Sequence, residues 1–532
     1  METKKEVLIQ PTQPELRRDV PIWGSFMWGF ADVGANTFVA LGLVMAYGQG
    51  ASALVLGIAG LLYMLIGFAY TELASAYPVS GGGPYYTLRS LGDFWGSLAG
   101  SGLLLAYTID IALFAAAASG YLNFFMPSVL GVDIDSFKTG LGPFTHFNPV
   151  WCLETIALIF ILIWLNIRGV RESSALNEII GVIVILAESS LIIFGFIFAW
   201  KPGLLVSQWQ QQFPSGDKLL YAVSLAIISF VGLESISQAA QETKRPATVI
   251  PRTSLSLIFS VFIFAVAFSA LGLGVLPWQE FAANVDNPLA VLASAIPLIG
   301  FLAGPITAIL GALVLFISSN TGIMGASRLT YSLSQYGIID PWFDAIHPRY
   351  KTPVRTIWVF SLLGILATFL SFLTPTVLET LAKMYAFGAT LGYSLVFISL
   401  IKLRFSDPYS PRPYRIPFNL PLKIKGMKYH FPILALIGAI AVIIILVQVV
   451  WSHKVGRIAG PTWVLVSLVY YVWYRRKQGY PIFKSLKRDW EKEQVEVLTS
   501  AEEYDLLEQY KAALSHKKKQ ENHEPKKSIR GW

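Results

Sequence analysis

Four carboxylates stand inside long apolar stretches of this 532-residue chain: Asp32, Asp110, Glu188 and Glu234. Placing a charge at the centre of a bilayer costs about 2.5–3.5 kcal/mol even on insertion scales, so such residues mark a pathway for ions or polar solutes. No lysine or arginine occupies a comparably central position. Unpaired in that setting, a carboxylate takes up a proton, a metal cation or a substrate ammonium. Two of the four sit beside breaks. Asp32 lies in Gly29-Phe30-Ala31-Asp32-Val33-Gly34-Ala35-Asn36-Thr37, and Glu234 in Ser229-Phe230-Val231-Gly232-Leu233-Glu234-Ser235.

A helix starting near Ile22 rises about 1.5 Å per residue and reaches Asp32 to Asn36 near the middle of a roughly 30 Å hydrocarbon layer. Glycines beside hydroxyl and carboxamide side chains weaken the helix there. Unpaired backbone is tolerated at that depth only where it lines a cavity or is buried in protein. Two Gly-interrupted segments in matching positions of two halves point to the substrate site of a transporter. Free amides expected at Gly34, Ala35 and Asn36, at the positive end of a half-helix, would receive a carboxylate. Carbonyls of Val231 and Gly232 would receive an ammonium, with Phe230 and Tyr385 as lids or cation–π partners. Tyr107 lies three residues before Asp110, on a neighbouring helix face. Asp32 and Glu234 are candidates for both substrate binding and ion coupling; Asp110 and Glu188 are candidates for coupling. Each has a plainer alternative. Glu234 can be a protonated carboxyl that fixes the geometry of the broken first helix, and buried aromatics commonly just pack.

The chain is 54% hydrophobic and 14% charged, against about 25% charged in soluble domains. This composition predicts an all-α polytopic membrane protein of about twelve spans. They lie near 22–47, 52–77, 94–126, 149–167, 174–200, 217–241, 253–276, 302–330, 355–374, 377–403, 431–451 and 461–476. Residues 1–21 precede this 22–476 transporter domain, and 477–532 follow it as a basic tail. Residues 22–200 and 217–403 form two candidate halves of five spans each, with 431–476 outside them. With both termini cytoplasmic, 35 of the 41 Lys and Arg residues fall on the inner side, as the positive-inside rule requires. The net charge of +8 therefore reports topology in a cell membrane, and nucleic-acid binding is excluded as its cause. No histidine lies within a span, and the lone Cys152 can form no intrachain disulfide or metal site. No P-loop, metal-ligand cluster or Ser-His-Asp set is present, so neither an enzyme nor a bound cofactor is expected. The identity of any metal ion stays open.

Several loop patterns carry a resemblance. They are Tyr70-Thr71-Glu72-Leu73-Ala74 with Gly81-Gly82-Gly83-Pro84-Tyr85-Tyr86, Asn166-Ile167-Arg168-Gly169-Val170-Arg171-Glu172-Ser173, Glu242-Thr243-Lys244-Arg245-Pro246, Arg328-Leu329-Thr330-Tyr331 and His347-Pro348-Arg349-Tyr350. Together and in order they resemble the amino acid–polyamine–organocation superfamily of permeases. The resemblance implies a LeuT-type 5+5 inverted repeat with spans 1 and 6 broken. It also implies alternating access and secondary active transport of amino acids or related amines, coupled to protons or sodium. In that fold Ser318 and Ser319, in the polar run Ser318-Ser319-Asn320-Thr321, would complete an oxygen-lined sodium site; interhelical hydrogen bonding is the alternative.

The match departs from the family at the site. Gly34-Ala35-Asn36 replaces the usual small-residue run, and Val184 stands where proton-coupled members carry lysine, with Glu188 one turn later. Asp32, Gly232-Leu233-Glu234, Asn320-Thr321-Gly322 and Tyr385 are similar to the potassium-importing branch, although Val39 and Val231 replace hydroxyls there. A potassium importer is therefore the first alternative. A transporter-like nutrient sensor, signalling through 483–532, is the second.

Overall fold

The computed structural model describes the chain except residues 1–21, 80, 140–144, 169–172, 231, 233, 235–236, 238–239, 241–242, 351, 425–426, 453 and 524–532. The expected first span is two helices, α1 (Ile22–Val33) and α2 (Asn36–Gly48), separated by a turn at Gly34 and Ala35. Then come α3 (Ser52–Ala76), α4 (Gly82–Leu91), α5 (Asp93–Asn123), α6 (Pro149–Arg168) and α7 (Ser173–Phe198). The expected second half opens with α8 (Gly216–Ala226), which tightens into a single 3-10 turn over Ile227–Phe230 before Gly232. It continues as α9 (Pro246–Val275), α10 (Gly300–Gln335), α11 (Val354–Phe372) and α12 (Val377–Ser406). A two-stranded antiparallel hairpin, β1 (Asn419–Ile424) and β2 (Met427–Pro432), leads to α13 (Ile433–Ser452) and α14 (Lys454–Lys477).

Among the described residues, nine segments are long and apolar enough to cross a membrane. The three other expected spans have physical reasons to fall short. The first break leaves α1 with 12 residues and α2 running on with α3 in one apolar segment, Asn36–Ala76; α8 has 11 residues; and α14 carries Arg457 and Arg475-Arg476-Lys477.

Helix α5 is buried along almost its whole length, including the run Ala115–Ala118, and packs against α10 and α12. Small residues make that possible. A Cβ added at Gly388 of α12 would lie 2.5 Å from the Gly102 carbonyl of α5, so the two backbones touch. Peripheral helices show the opposite pattern. Ile179, Ile183, Leu186, Ile193 and Ile197 of α7 are exposed, while Val184, Glu188 and Leu191 are buried. Their three- and four-residue spacing gives one apolar outer face and one inner face.

The segment after α14 is helical, as its composition suggests, but it is not a solvated tail. Helices α15 (Trp490–Ser500) and α16 (Tyr504–His523) fold back against one end of the bundle, called here the tail end. Glu493, Gln494 and Glu503 are buried there.

Candidate functional site

The two breaks meet at Asp32. Its Oδ1 accepts a hydrogen bond from Thr321 Oγ1 of α10 at 2.5 Å, and Ser318 Oγ lies 3.4 Å from the Asp32 carbonyl and 3.5 Å from Oδ1. Its Oδ2 is turned toward the second break, where a Cβ at Gly232 would lie 2.8 Å from it. On the far side of Gly232, Glu234 curls back: Oε2 accepts from the Gly232 amide at 3.2 Å and from Tyr393 Oη of α12 at 2.9 Å. Thr321, Asp32, Gly232, Glu234 and Tyr393 thus form one buried line that ties α1, α10 and α12 to both breaks.

The first break is tighter than the sequence reading expects. The Gly34 amide donates to Phe30 O at 2.8 Å, and Thr37 and Phe38 donate to Gly34 O and Ala35 O at 3.3 and 3.0 Å. Gly34 is therefore no free carboxylate receptor in this conformation; one helical bond and two i+3 bonds close the turn. Asn36 and Ala35 are buried at the start of α2. Val231 lies outside the described residues.

Glu234 braces its own break, where the plainer alternative had it bracing the first helix. Phe230 stacks on Tyr63 of α3, with ring centroids 5.2 Å apart. That contact packs the second break against α3. Ser319 makes the interhelical hydrogen bond that was its alternative: its hydroxyl donates to Ile111 O of α5 at 2.8 Å, and no bond among the described residues joins it to the Asp32 cluster. Thr321 stands in its place, because residues three apart share a helix face and adjacent ones do not.

Asp110 lies on α5 behind Gly322, where a Cβ would be 3.0 Å from its Oδ2, and the Tyr385 hydroxyl is close by. Its Oδ1 has no hydrogen-bond partner among the described residues. Tyr107 packs its ring against Gly325, one turn along the same seam. Glu188 is 3% exposed, and neither of its carboxylate oxygens finds a partner among the described residues. No hydrogen bond among them joins it to the Asp32 cluster.

Sequence reading missed Tyr393 as a site residue. Its signal was its position two turns after Tyr385, on the same face of α12. It also missed how Asn320 is used: Asn166 Nδ2 donates to its Oδ1 at 2.5 Å, tying α6 to α10.

Both ends of the bundle bear charged structure. At the tail end, Glu72 of α3 accepts from Arg404 Nε and Nη2 at 2.5 and 2.6 Å and from the Ile416 amide at 2.8 Å. This buried, bidentate pair joins α3 to α12 at the tail end. At the opposite end a cavity of about 670 Å³ is lined by Tyr47, Asn123, Asp133, His146, Asp286 and Glu379 among others. Glu379 pairs with Lys383 at 2.6 Å and Asp135 with Lys138 at 2.7 Å. Burial pushes the Asp286 carboxyl up to about 6; its own backbone amide opposes the shift, and Asp135 and Asp133 reinforce it against Lys138. Among the described residues no group of three or more His, Cys, Asp or Glu side chains could hold a metal ion. A cation at Asp32 would instead rest on one carboxylate, a carbonyl and two hydroxyls.

A helical bundle crossed by apolar helices, with two broken helices meeting at a buried carboxylate, defines a membrane transporter. The model of the amino acid permease family matches residues 23–473, and the chain belongs to that family. It is 28% identical to the branched-chain amino acid permease BcaP of Bacillus subtilis over 89% of this chain and 96% of that protein. It is also 28% identical to the methylthioribose transporter of Bacillus subtilis, over 73% of this chain and 81% of that one. Similarity extends to the gamma-aminobutyric acid permease of Bacillus subtilis, at 25% identity over 84% and 91%.

Proposed function

We propose that this transporter moves an amino acid or related amine by alternating access through the junction of its two breaks. A sodium ion or proton held at Asp32 drives it. The supporting observation is the oxygen set around Asp32, in which Oδ1 faces Ser318 and Thr321 and the main-chain carbonyl faces Ser318. Hard cations take such oxygen ligands, and a proton on Asp32 would be held by the same hydroxyls. Substrate would lie against Asn36, Tyr107, Asp110 and Tyr385, with the broken-helix ends supplying backbone groups. The tail end, which carries most of the basic residues, is assigned to the cytoplasm of a cell-membrane protein. In that arrangement 22–200 and 217–403 are the inverted halves.

Uptake by purified proteoliposomes tests this, with labelled amino acids and a potassium tracer under imposed sodium or proton gradients. Saturable amino acid uptake that follows one of the two gradients is expected. Thr321→Val removes a hydrogen bond to a charged group, and the half-saturating concentration of the driving ion should rise about tenfold. Potassium uptake with no amino acid signal would instead make the carboxylates a cation path.

The far-end cavity adds a pH dependence. Because the Asp286 carboxyl is pushed up to about 6, it is charged above that pH and protonated below. Uptake of a cationic substrate should fall as the bath on that side is acidified through pH 6, beyond any effect of the driving gradient. Asp286→Asn should remove that step; an unchanged pH profile in this variant would separate Asp286 from substrate entry.

A further inference from the structure

The tail end is covered by a segment that apolar composition cannot explain. Glu493 of α15 is 6% exposed and sits between two phenols: its Oε1 accepts from Tyr336 Oη at the end of α10 at 2.6 Å and from Tyr85 Oη of α4 at 3.2 Å. Gln494 donates to the Ala76 carbonyl at the end of α3 at 2.9 Å and accepts from Arg89 of α4 at 3.2 Å. Arg488 reaches Asp93, the first residue of α5, at 2.7 Å, beside Arg475 of α14 at 2.8 Å. Glu503 accepts from the Thr248 amide at the start of α9 at 3.2 Å. The segment therefore bridges α3, α4 and α5 of the first half to α9 and α10 of the second. Glu72 of the Glu72–Arg404 pair lies on α3, and in the alternating-access reading opening that end separates the halves.

The character of the contact matters as much as its place. Burying charge is costly unless it is paired and hydrogen-bonded, and here the buried tail charges Arg488, Glu493 and Glu503 each meet a specific partner on the bundle. The tail's own apolar residues Leu498, Leu507 and Tyr510 cluster with one another, apart from the main core. The seam inside the tail is apolar, and the seam between tail and bundle combines these polar contacts with a small apolar patch, where Val497 joins the main core and Trp490 packs on Tyr85 and Tyr336. The polar contacts of this seam can be exchanged for water at little net cost, leaving the Val497 and Trp490 patch as the apolar surface exposed on release.

We propose that residues 484–503 are a latch of the transport cycle: docked, they hold the tail end closed, and they must release before it opens. The proposal rests on the alternating-access reading above, and its test includes a readout independent of transport. In a Cys152→Ala background, Gln494→Cys places a thiol at a position that is 1% exposed in the docked state. A water-soluble maleimide should label it in the intact full-length protein, because the latch opens. Glu493→Ala should speed that labelling about tenfold by removing two hydrogen bonds to a carboxylate. Labelling needs no substrate, so it decides the latch even for a chain that transports nothing. A second variant, Cys152→Ala with Gln494→Cys and Ala76→Cys, is joined by a short bis-methanethiosulfonate reagent. Uptake should drop to background when tethered and return on reduction. A thiol that stays unlabelled in both backgrounds, or tethered protein that transports at the untethered rate, would make the segment a fixed scaffold and overturn the proposal.

Discussion

Gly232→Ala should reduce uptake about a hundredfold while leaving the chain inserted in the membrane. The backbone of Gly232 has φ +121°, a conformation that costs a non-glycine residue of order 1–3 kcal/mol. The added Cβ would also lie 2.8 Å from Asp32 Oδ2, 3.0 Å from its carboxyl carbon and 3.1 Å from Val33 Cγ2. To make room, either Asp32 leaves the Thr321 hydroxyl or the second break moves and pulls the Gly232 amide from Glu234. Both movements act on the junction of the two breaks, whereas the lipid-facing helices and the α5–α12 contact stay as they are. A hundredfold loss corresponds to about 2.7 kcal/mol, within reach of strain and displacement together. Initial uptake rates, normalised to protein that elutes as a single species in detergent, measure this. Wild-type uptake in the variant would mean that the breaks do not work as one site.

The legible parts of this molecule were those that a one-dimensional pattern carries. Apolar runs placed the spans, and rare carboxylates inside them placed Asp32, Asp110 and Glu234 along the central seam. The run ending at 451 and the one starting at 461 read as separated by a loop, yet α14 begins at Lys454 and continues through Pro461. Local proline and charge suggested a gap that the packing of α14 against α5 and α12 overrides. Rotation was harder to read than position. Ser318, Ser319 and Thr321 are chemically similar, and only the direction in which α10 presents them separates the Asp32 cluster from a bond to Ile111. Least legible was the tail, whose composition resembles any solvated charged helix. Its buried role depends on Tyr85, Arg89, Asp93 and Tyr336, residues more than 150 positions away in sequence.

The same reasoning separates two roles for Glu234, which a single substitution would confuse. In the structure its Oε2 only accepts, from the Gly232 amide and the Tyr393 hydroxyl. Glutamine keeps a carbonyl oxygen at that position and removes the charge. Glu234→Gln should therefore retain uptake within about threefold of wild type, since both hydrogen bonds survive in neutral form. Glu234→Ala leaves a buried amide and a buried phenol without an acceptor, at about 1–3 kcal/mol each. Because that loss falls on the break itself, uptake should decrease about a hundredfold. Tyr393→Phe removes one donor and leaves the amide contact, so it should fall between them. Uptake rates for the three variants, measured under the gradient that drives the wild type, give the ordering. Glutamine as inactive as alanine, with substrate exchange intact, would instead place the charge of Glu234 in the coupling step and move the ion from Asp32 to the second break.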